Sequence, residues 1–168
     1  LPKKEILSFE EIERLIDVFI DQGIEKIRLT GGEPLVRKNI NKLIRKIGKK
    51  IDKTNLKELT LTTNGSQLTK FAEELVDLGV RRVNVSLDSL DTKKFQTITR
   101  WGKLEQVLKG LQQAKKAGLA IKINTVALRN VNDNEFNDLV QWCGDEGFDL
   151  TFIEVMPMGE MGQMRIDQ

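Results

Sequence analysis

Five short segments of this sequence combine glycine, hydroxyl, amide and carboxylate groups in a way that suits the binding of a polar ligand: TGGEP at 30–34, TTNG at 62–65, SLDS at 86–89, NT at 124–125 and EVMP at 154–157. In the first, Gly31 and Gly32 let a ligand approach the backbone closely, Glu33 offers a carboxylate to a cationic group, and Pro34 fixes the exit turn. A plain turn is the other reading of the two glycines. Asn64 and Asp88 read as local turn-makers in preference to further ligand contacts. Polarity also runs back from these segments at a period of two. Arg28 and Thr30 alternate with Ile27 and Leu29, Thr60 and Thr62 with Leu59 and Leu61, and Asn84 and Ser86 with Val83 and Val85. Arg, Asn and hydroxyl groups on three strands are costly to bury without partners. They are read as the lining of a polar cavity on the inner face of a curved sheet.

The rest of the inventory narrows the chemistry. The chain has 168 residues, one cysteine, Cys143, and no histidine. A lone thiol cannot form an internal disulfide, a zinc knuckle or a thiolate-bound iron–sulfur cluster. Without imidazole, triads built on histidine are excluded, leaving Lys, Arg, Asp, Glu, hydroxyls, backbone or a bound cofactor. Cys143, beside Trp142 in a helical stretch, reads as a packed free thiol. Lys plus Arg number 27 against 25 for Asp plus Glu, and a net charge of +2 gives no electrostatic case for nucleic acid as a partner. The basic stretch at 42–53 reads as the solvated face of a helix. With no apolar run near the roughly 18 residues of a membrane span and no secretory leader, the expected setting is the reducing cytoplasm, without membrane contact.

These groups need elements to position them, and an internal repeat provides the pattern. Gly23, Gly79, Gly118 and Gly147 each follow a stretch with helical apolar spacing and each open a short apolar segment whose eighth position is polar. Such a glycine suits the left-handed residue that ends a helix. Ser8 with Glu11 has the spacing of a capping box, and Asn132 with Glu135 is a weaker second case. Strands are predicted near 25–30, 57–62, 80–86, 119–126 and 149–155, separated by helices. Right-handed βα units at that spacing make an α/β fold with a parallel sheet, either doubly wound or curved into a barrel. Ligands then lie at the carboxyl ends of the strands. Lys122 fits this phasing poorly. Aligning the repeats on their glycines turns Thr125 inward and sends Lys122 under the helices, where an ammonium is expensive. A bulge or a shifted register that brings Lys122 inward is therefore expected.

The same residues carry a resemblance. TGGEP after a strand is similar to the GGEP element of radical S-adenosylmethionine (SAM) enzymes. In order, LPKKEILSFEEIERL, IRLTGGEPLVRK, LTLTTNG, RRVNVSLDSLD, the IKINTV strand followed by VND, and FIEVMPMGE resemble the GTP 3′,8-cyclase family, molybdenum cofactor biosynthesis protein A. The resemblance implies one incomplete barrel domain over 1–168, a partial (βα)6 TIM-like barrel of the radical SAM type. By position it implies that Gly32, Glu33, Ser86 and Met156 surround SAM, and that Arg28, Thr62 and Lys122 contact GTP. Ser86 suits a ribose or carboxylate oxygen, and Met156 suits packing on adenine or plain core filling. Arg28 and Lys122 suit a triphosphate.

The implied reaction starts when a reduced 4Fe–4S cluster cleaves SAM to a 5′-deoxyadenosyl radical, which removes hydrogen from C3′ of GTP. The ribose carbon then attacks C8, and 3′,8-cyclo-7,8-dihydro-GTP passes to cyclic pyranopterin monophosphate synthase. The family's CxxxCxxC motif precedes the segment matching Leu1, and a second cluster lies beyond the segment matching Gln168. Neither is present here, so the resemblance implies a central piece without the first strand or the C-terminal region, inactive alone and binding no cluster. An open barrel edge predicts self-association. Arg100, Trp101 and Gly102 stand where many relatives have a Gly-Arg pair and read as loop variation. Two alternatives stand beside a cut cyclase: a SAM- or nucleotide-binding barrel fragment without turnover, and a βα-barrel lyase with Lys122 as Schiff-base nucleophile.

Overall fold

The computed structural model describes residues 6–155. Ser8 opens α1 (Phe9–Asp21) by the expected capping box: its hydroxyl accepts from the Glu11 N–H at 3.1 Å, and the Glu11 carboxylate accepts from the Ser8 N–H at 2.7 Å. Gly23, at φ 89°, then ends the helix and turns the chain into β1 (Lys26–Leu29). The series continues through α2 (Ile40–Ile51), β2 (Glu58–Thr63), α3 (Leu68–Asp77), β3 (Arg82–Ser86), α4 (Thr92–Thr99), α5 (Leu104–Lys116), β4 (Ala120–Ala127), α6 (Phe136–Glu146) and β5 (Asp149–Glu154). The four helix-ending glycines all take positive φ, between 70° and 90°. α4 interrupts the simple alternation; Asp91 caps it by accepting from the Lys94 N–H at 2.8 Å.

All strand pairs are parallel and the spatial order is β1-β2-β3-β4-β5, the same as the chain order. A right-handed crossover that always steps in one direction places every helix on the same face of the sheet. That excludes a doubly wound sheet, whose order reverses, and gives the curved arrangement of a partial barrel. Leu59, Leu61, Val83, Val85, Ile121 and Ile123 alternate toward the helices and are buried against Leu43, Ile44, Ile47, Leu75 and Leu111. Truncating one such Leu to Ala costs about 2–5 kcal/mol. The basic stretch behaves as read from the sequence: Ile40, Leu43, Ile44 and Ile47 are buried in α2, while Lys46 and Lys50 reach out to Glu13 and Asp17 of α1, each at 2.6 Å.

One expectation needs correction and another is met. Asn132 and Glu135 form no capping box. The Asn132 amide donates to the carbonyls of Asp88 and Val126 at 2.6 and 2.9 Å, and its oxygen accepts from the Leu128 N–H. Glu135 instead takes the Ser89 hydroxyl at 2.8 Å, the Leu90 N–H at 3.0 Å and Lys94 at 2.8 Å. The expectation that is met concerns the phase of β4. Asn84 pairs with Lys122 and Ser86 with Asn124, one residue out of step with the glycine alignment. Lys122 therefore faces inward through a shifted register, and Thr125 is the residue buried beneath the helices, its hydroxyl donating to the Leu87 carbonyl at 2.7 Å. The apolar pattern of β4 requires this, because Ile121 and Ile123 must meet the helices.

Candidate functional site

The uncovered face of the sheet carries two groups of polar side chains at different depths. At the carboxyl ends of the strands, Gly31 takes φ 111°, which favours glycine. A methyl group on Gly32 would meet nothing within 4 Å, so packing does not demand glycine there. Glu33 is half-buried and tightly held. Its Oε1 accepts from the Leu35 N–H at 3.0 Å and the Thr63 hydroxyl at 2.8 Å, and its Oε2 from the Asn64 N–H at 2.6 Å. Each carboxylate oxygen has two acceptor positions. Oε1 is filled and Oε2 keeps one, which is the chemistry an ammonium group requires.

Ser86 ends β3 and lines a cavity of about 300 Å³ with Asn64, Asp88, Trp101 and Lys103 among its other walls. Asn64 is a turn-maker as expected, its Oδ1 accepting from the Ser66 N–H at 2.9 Å. Asp88 acts at longer range than the local turn predicted, because its Oδ1 accepts from the Val126 N–H at 2.7 Å and extends the β3–β4 ladder. Trp101 is 90% exposed after Arg100, which sits at φ 66°, so the loop first read as mere variation presents an aromatic ring at the rim of the Ser86 cavity. An aromatic residue in an otherwise polar loop was the available signal. Met156 lies outside the described residues.

Deeper on the same face, Arg28 and Lys122 line a cavity of about 330 Å³ together with Lys26, Glu58, Thr60, Arg82 and Asn84. Lys26 is paired with Glu58 at 3.2 Å and Arg82 with Asp149 at 3.3 Å. Among the described residues, no carboxylate lies within ion-pair distance of Arg28 or Lys122. Thr62 does not line this cavity; it is half-buried and stands beside Asn84 in the sheet, on the far side from Lys122. Asn84 itself is 2% exposed, and its Oδ1 has no hydrogen-bond partner among the described residues. An unpaired buried acceptor costs about 1–3 kcal/mol. Period-two alternation showed Asn84 facing inward, but its missing partner is visible only in three dimensions. Lys26 and Arg82, each paired with a carboxylate, add to the lining beyond the residues singled out in the sequence.

No group of three His, Cys, Asp or Glu side chains able to hold a metal ion exists among the described residues. Cys143 is buried in α6, and burial pushes its thiol up to about 11, so it is a packed thiol and not a ligand. No described helix is long and apolar enough to cross a membrane.

Comparison with known proteins identifies the family and the fold. The model of the Radical SAM superfamily matches residues 1–143. GTP 3′,8-cyclase of Rhizobium meliloti (strain 1021) is 60% identical over 167 residues, covering 99% of this chain and 48% of the relative. GTP 3′,8-cyclase of Paracoccus denitrificans (strain Pd 1222) is 59% identical over 169 residues, covering 100% of this chain and 49% of the relative. The chain thus spans about half the length of the curated relatives it matches. Among solved structures, Streptococcus suis SuiB bound to S-adenosylmethionine superposes with a TM-score of 0.74 at 18% identity, over 92% of this chain and 35% of SuiB. Native anSMEcpe with bound AdoMet gives 0.72 at 19% identity, over 92% of this chain and 46% of that protein. At such identities the likeness is one of fold.

Proposed function

Because this chain belongs to the radical SAM superfamily, we propose that it forms the nucleotide-facing wall of a GTP 3′,8-cyclase, which converts GTP to 3′,8-cyclo-7,8-dihydro-GTP in molybdenum cofactor biosynthesis. The observation that carries the reading is the pair Arg28 and Lys122, two cations without carboxylate partners among the described residues, lining one cavity. A guanidinium fork and an ammonium lining the same cavity suit a triphosphate. Thr62, in the adjacent row, supplies a hydroxyl to the same ligand.

Gly32, Glu33 and Ser86, joined by Met156, hold SAM at the carboxyl ends of the strands. The remaining acceptor position on Glu33 takes the ammonium of its methionine part, Gly32 leaves room for close backbone approach, and Ser86 takes a ribose or carboxylate oxygen. When bound, SAM supplies hydrogen abstraction with an electron from a 4Fe–4S cluster. The residues of this chain orient the two nucleotides against one another and keep them out of bulk water. One buried thiol in 168 residues cannot hold such a cluster, so its cysteines come from other polypeptide and this stretch is inactive by itself. The product passes to cyclic pyranopterin monophosphate synthase in the reducing cytoplasm, the setting that suits a free thiol.

Calorimetric titration of the 168-residue chain with GTP tests the reading. Binding is expected, weakened about tenfold or more by Arg28→Ala and by Lys122→Ala; a chain that binds no GTP overturns it. Borohydride added with carbonyl compounds is expected to leave Lys122 unmodified, whereas a trapped adduct would replace the cyclase by a Schiff-base lyase.

A further inference from the structure

Asn84 stands between Thr62 and Lys122 in the sheet, and parallel partners in register leave the sheet on one face. With strands about 4.8 Å apart, the three side chains address one patch of ligand. No donor bonds Asn84 Oδ1 among the described residues, the neighbouring Lys122 ammonium included. Phosphate oxygens satisfy Arg28 and Lys122 but offer an acceptor nothing, since they are acceptors themselves. A ligand that completes this cavity therefore carries a hydroxyl or N–H donor close to its anionic part. Position along the strand selects between the two. Asn84 lies two residues beyond Arg82, whose row includes Arg28, and two before Ser86. It is thus between the cationic floor and the carboxyl-end site, where the sugar of a nucleotide follows its phosphates.

We propose that Asn84 is a specificity-determining residue whose carboxamide oxygen, buried in the unliganded chain, turns toward the cavity and accepts a hydrogen bond from a ribose hydroxyl of the bound nucleoside triphosphate. The inference rests on reading the Arg28–Lys122 cavity as a nucleotide site. A buried polar group built to bind a hydroxyl rejects an analogue that lacks it, because the group is then left unpaired. An apolar residue of similar size makes no such distinction.

Dissociation constants for GTP, 2′-deoxy-GTP, 3′-deoxy-GTP and inorganic tripolyphosphate, measured on the native chain, on Asn84→Leu and on the smaller Asn84→Ala, test this. The native chain is expected to prefer GTP over one of the deoxy analogues by tenfold or more. Both variants are expected to lose that preference and keep their affinity for tripolyphosphate. Asn84→Leu is also expected to melt at or above the native temperature without ligand, since it removes an unpaired buried acceptor. Retained discrimination in the variants, or none in the native chain, overturns the role of Asn84 while leaving the triphosphate site intact. Failure of both GTP and tripolyphosphate to bind overturns the nucleotide reading and this inference with it.

Discussion

Thr63 donates its hydroxyl to Glu33 Oε1 at 2.8 Å, tying the loop after β1 to the end of β2. The same hydroxyl oxygen accepts from the Gly65 N–H at 3.1 Å, and the Asn64 N–H donates to Glu33 Oε2 at 2.6 Å. A carboxylate fixed by three neighbours before a ligand arrives loses little freedom on binding, which is the physical content of preorganisation. Glu33→Ala is therefore expected to lower SAM affinity by tenfold or more, and Thr63→Val to lower it by a smaller factor through looser positioning. Calorimetry reads both, and unchanged affinity in Glu33→Ala would remove the assigned SAM site.

Gly32 and Gly48 make an instructive pair. A methyl group on Gly48 would meet the Leu78 carbonyl oxygen at 1.9 Å, so α2 and the end of α3 approach too closely for any side chain. Gly48→Ala is expected to destabilise by about 3 kcal/mol in urea unfolding. Gly32→Ala meets open space and is expected to change stability by less than about 0.5 kcal/mol while weakening SAM. Equal stability losses in the two variants would mean that Gly32 serves the fold and not a ligand.

Glu135 gives the fold a pH dependence. Burial works against its ionisation, but Lys94, the Ser89 hydroxyl and the Leu90 N–H outweigh that and hold its carboxyl below the ordinary 4.5. A carboxyl depressed in the folded state stabilises fully above its unfolded value, and that stability disappears as pH falls through the folded value. The native chain is expected to exceed Glu135→Gln by about 2 kcal/mol at pH 7, with the gap closing as the pH falls below 4.5. A gap independent of pH would assign the effect to packing.

Leu15, Val18, Phe19 and Ile24 are exposed beside β1, which has no strand on its outer side among the described residues. An unpaired parallel edge next to apolar surface favours association of the isolated chain. Sedimentation velocity is expected to show concentration-dependent oligomers, reduced by Phe19→Glu. A clean monomer at all concentrations would contradict the expectation.

Local physics made much of this structure readable in advance. The turns at Gly23, Gly79, Gly118 and Gly147 follow from one backbone preference, and the Ser8–Glu11 cap from two reciprocal bonds. The inward face of β1, β2 and β3 follows from alternation alone. Lys122 required more, because its phase depends on which residues of β4 meet the helices; Ile121 and Ile123 held that information, and the glycine alignment obscured it. Asn132 and Glu135 have the spacing of a cap, yet two of their partners, Asp88 and Ser89, lie more than 40 residues away and no local signal points to those. The orphaned oxygen of Asn84 is likewise a property of three strands together, which no single segment expresses.

With every helix on one face of the sheet, the residues that hold the fold and the polar residues of the candidate site occupy opposite sides of the same strands. Leu61 and Thr62, Val83 and Asn84, and Ile121 and Lys122 are chain neighbours on opposite faces, the first of each pair buried in the apolar core. Selection can therefore exchange the second member of each pair, and with it the chemistry of the open face, while the first keeps the protein folded. Such a scaffold acquires new chemistries by rewriting alternate letters.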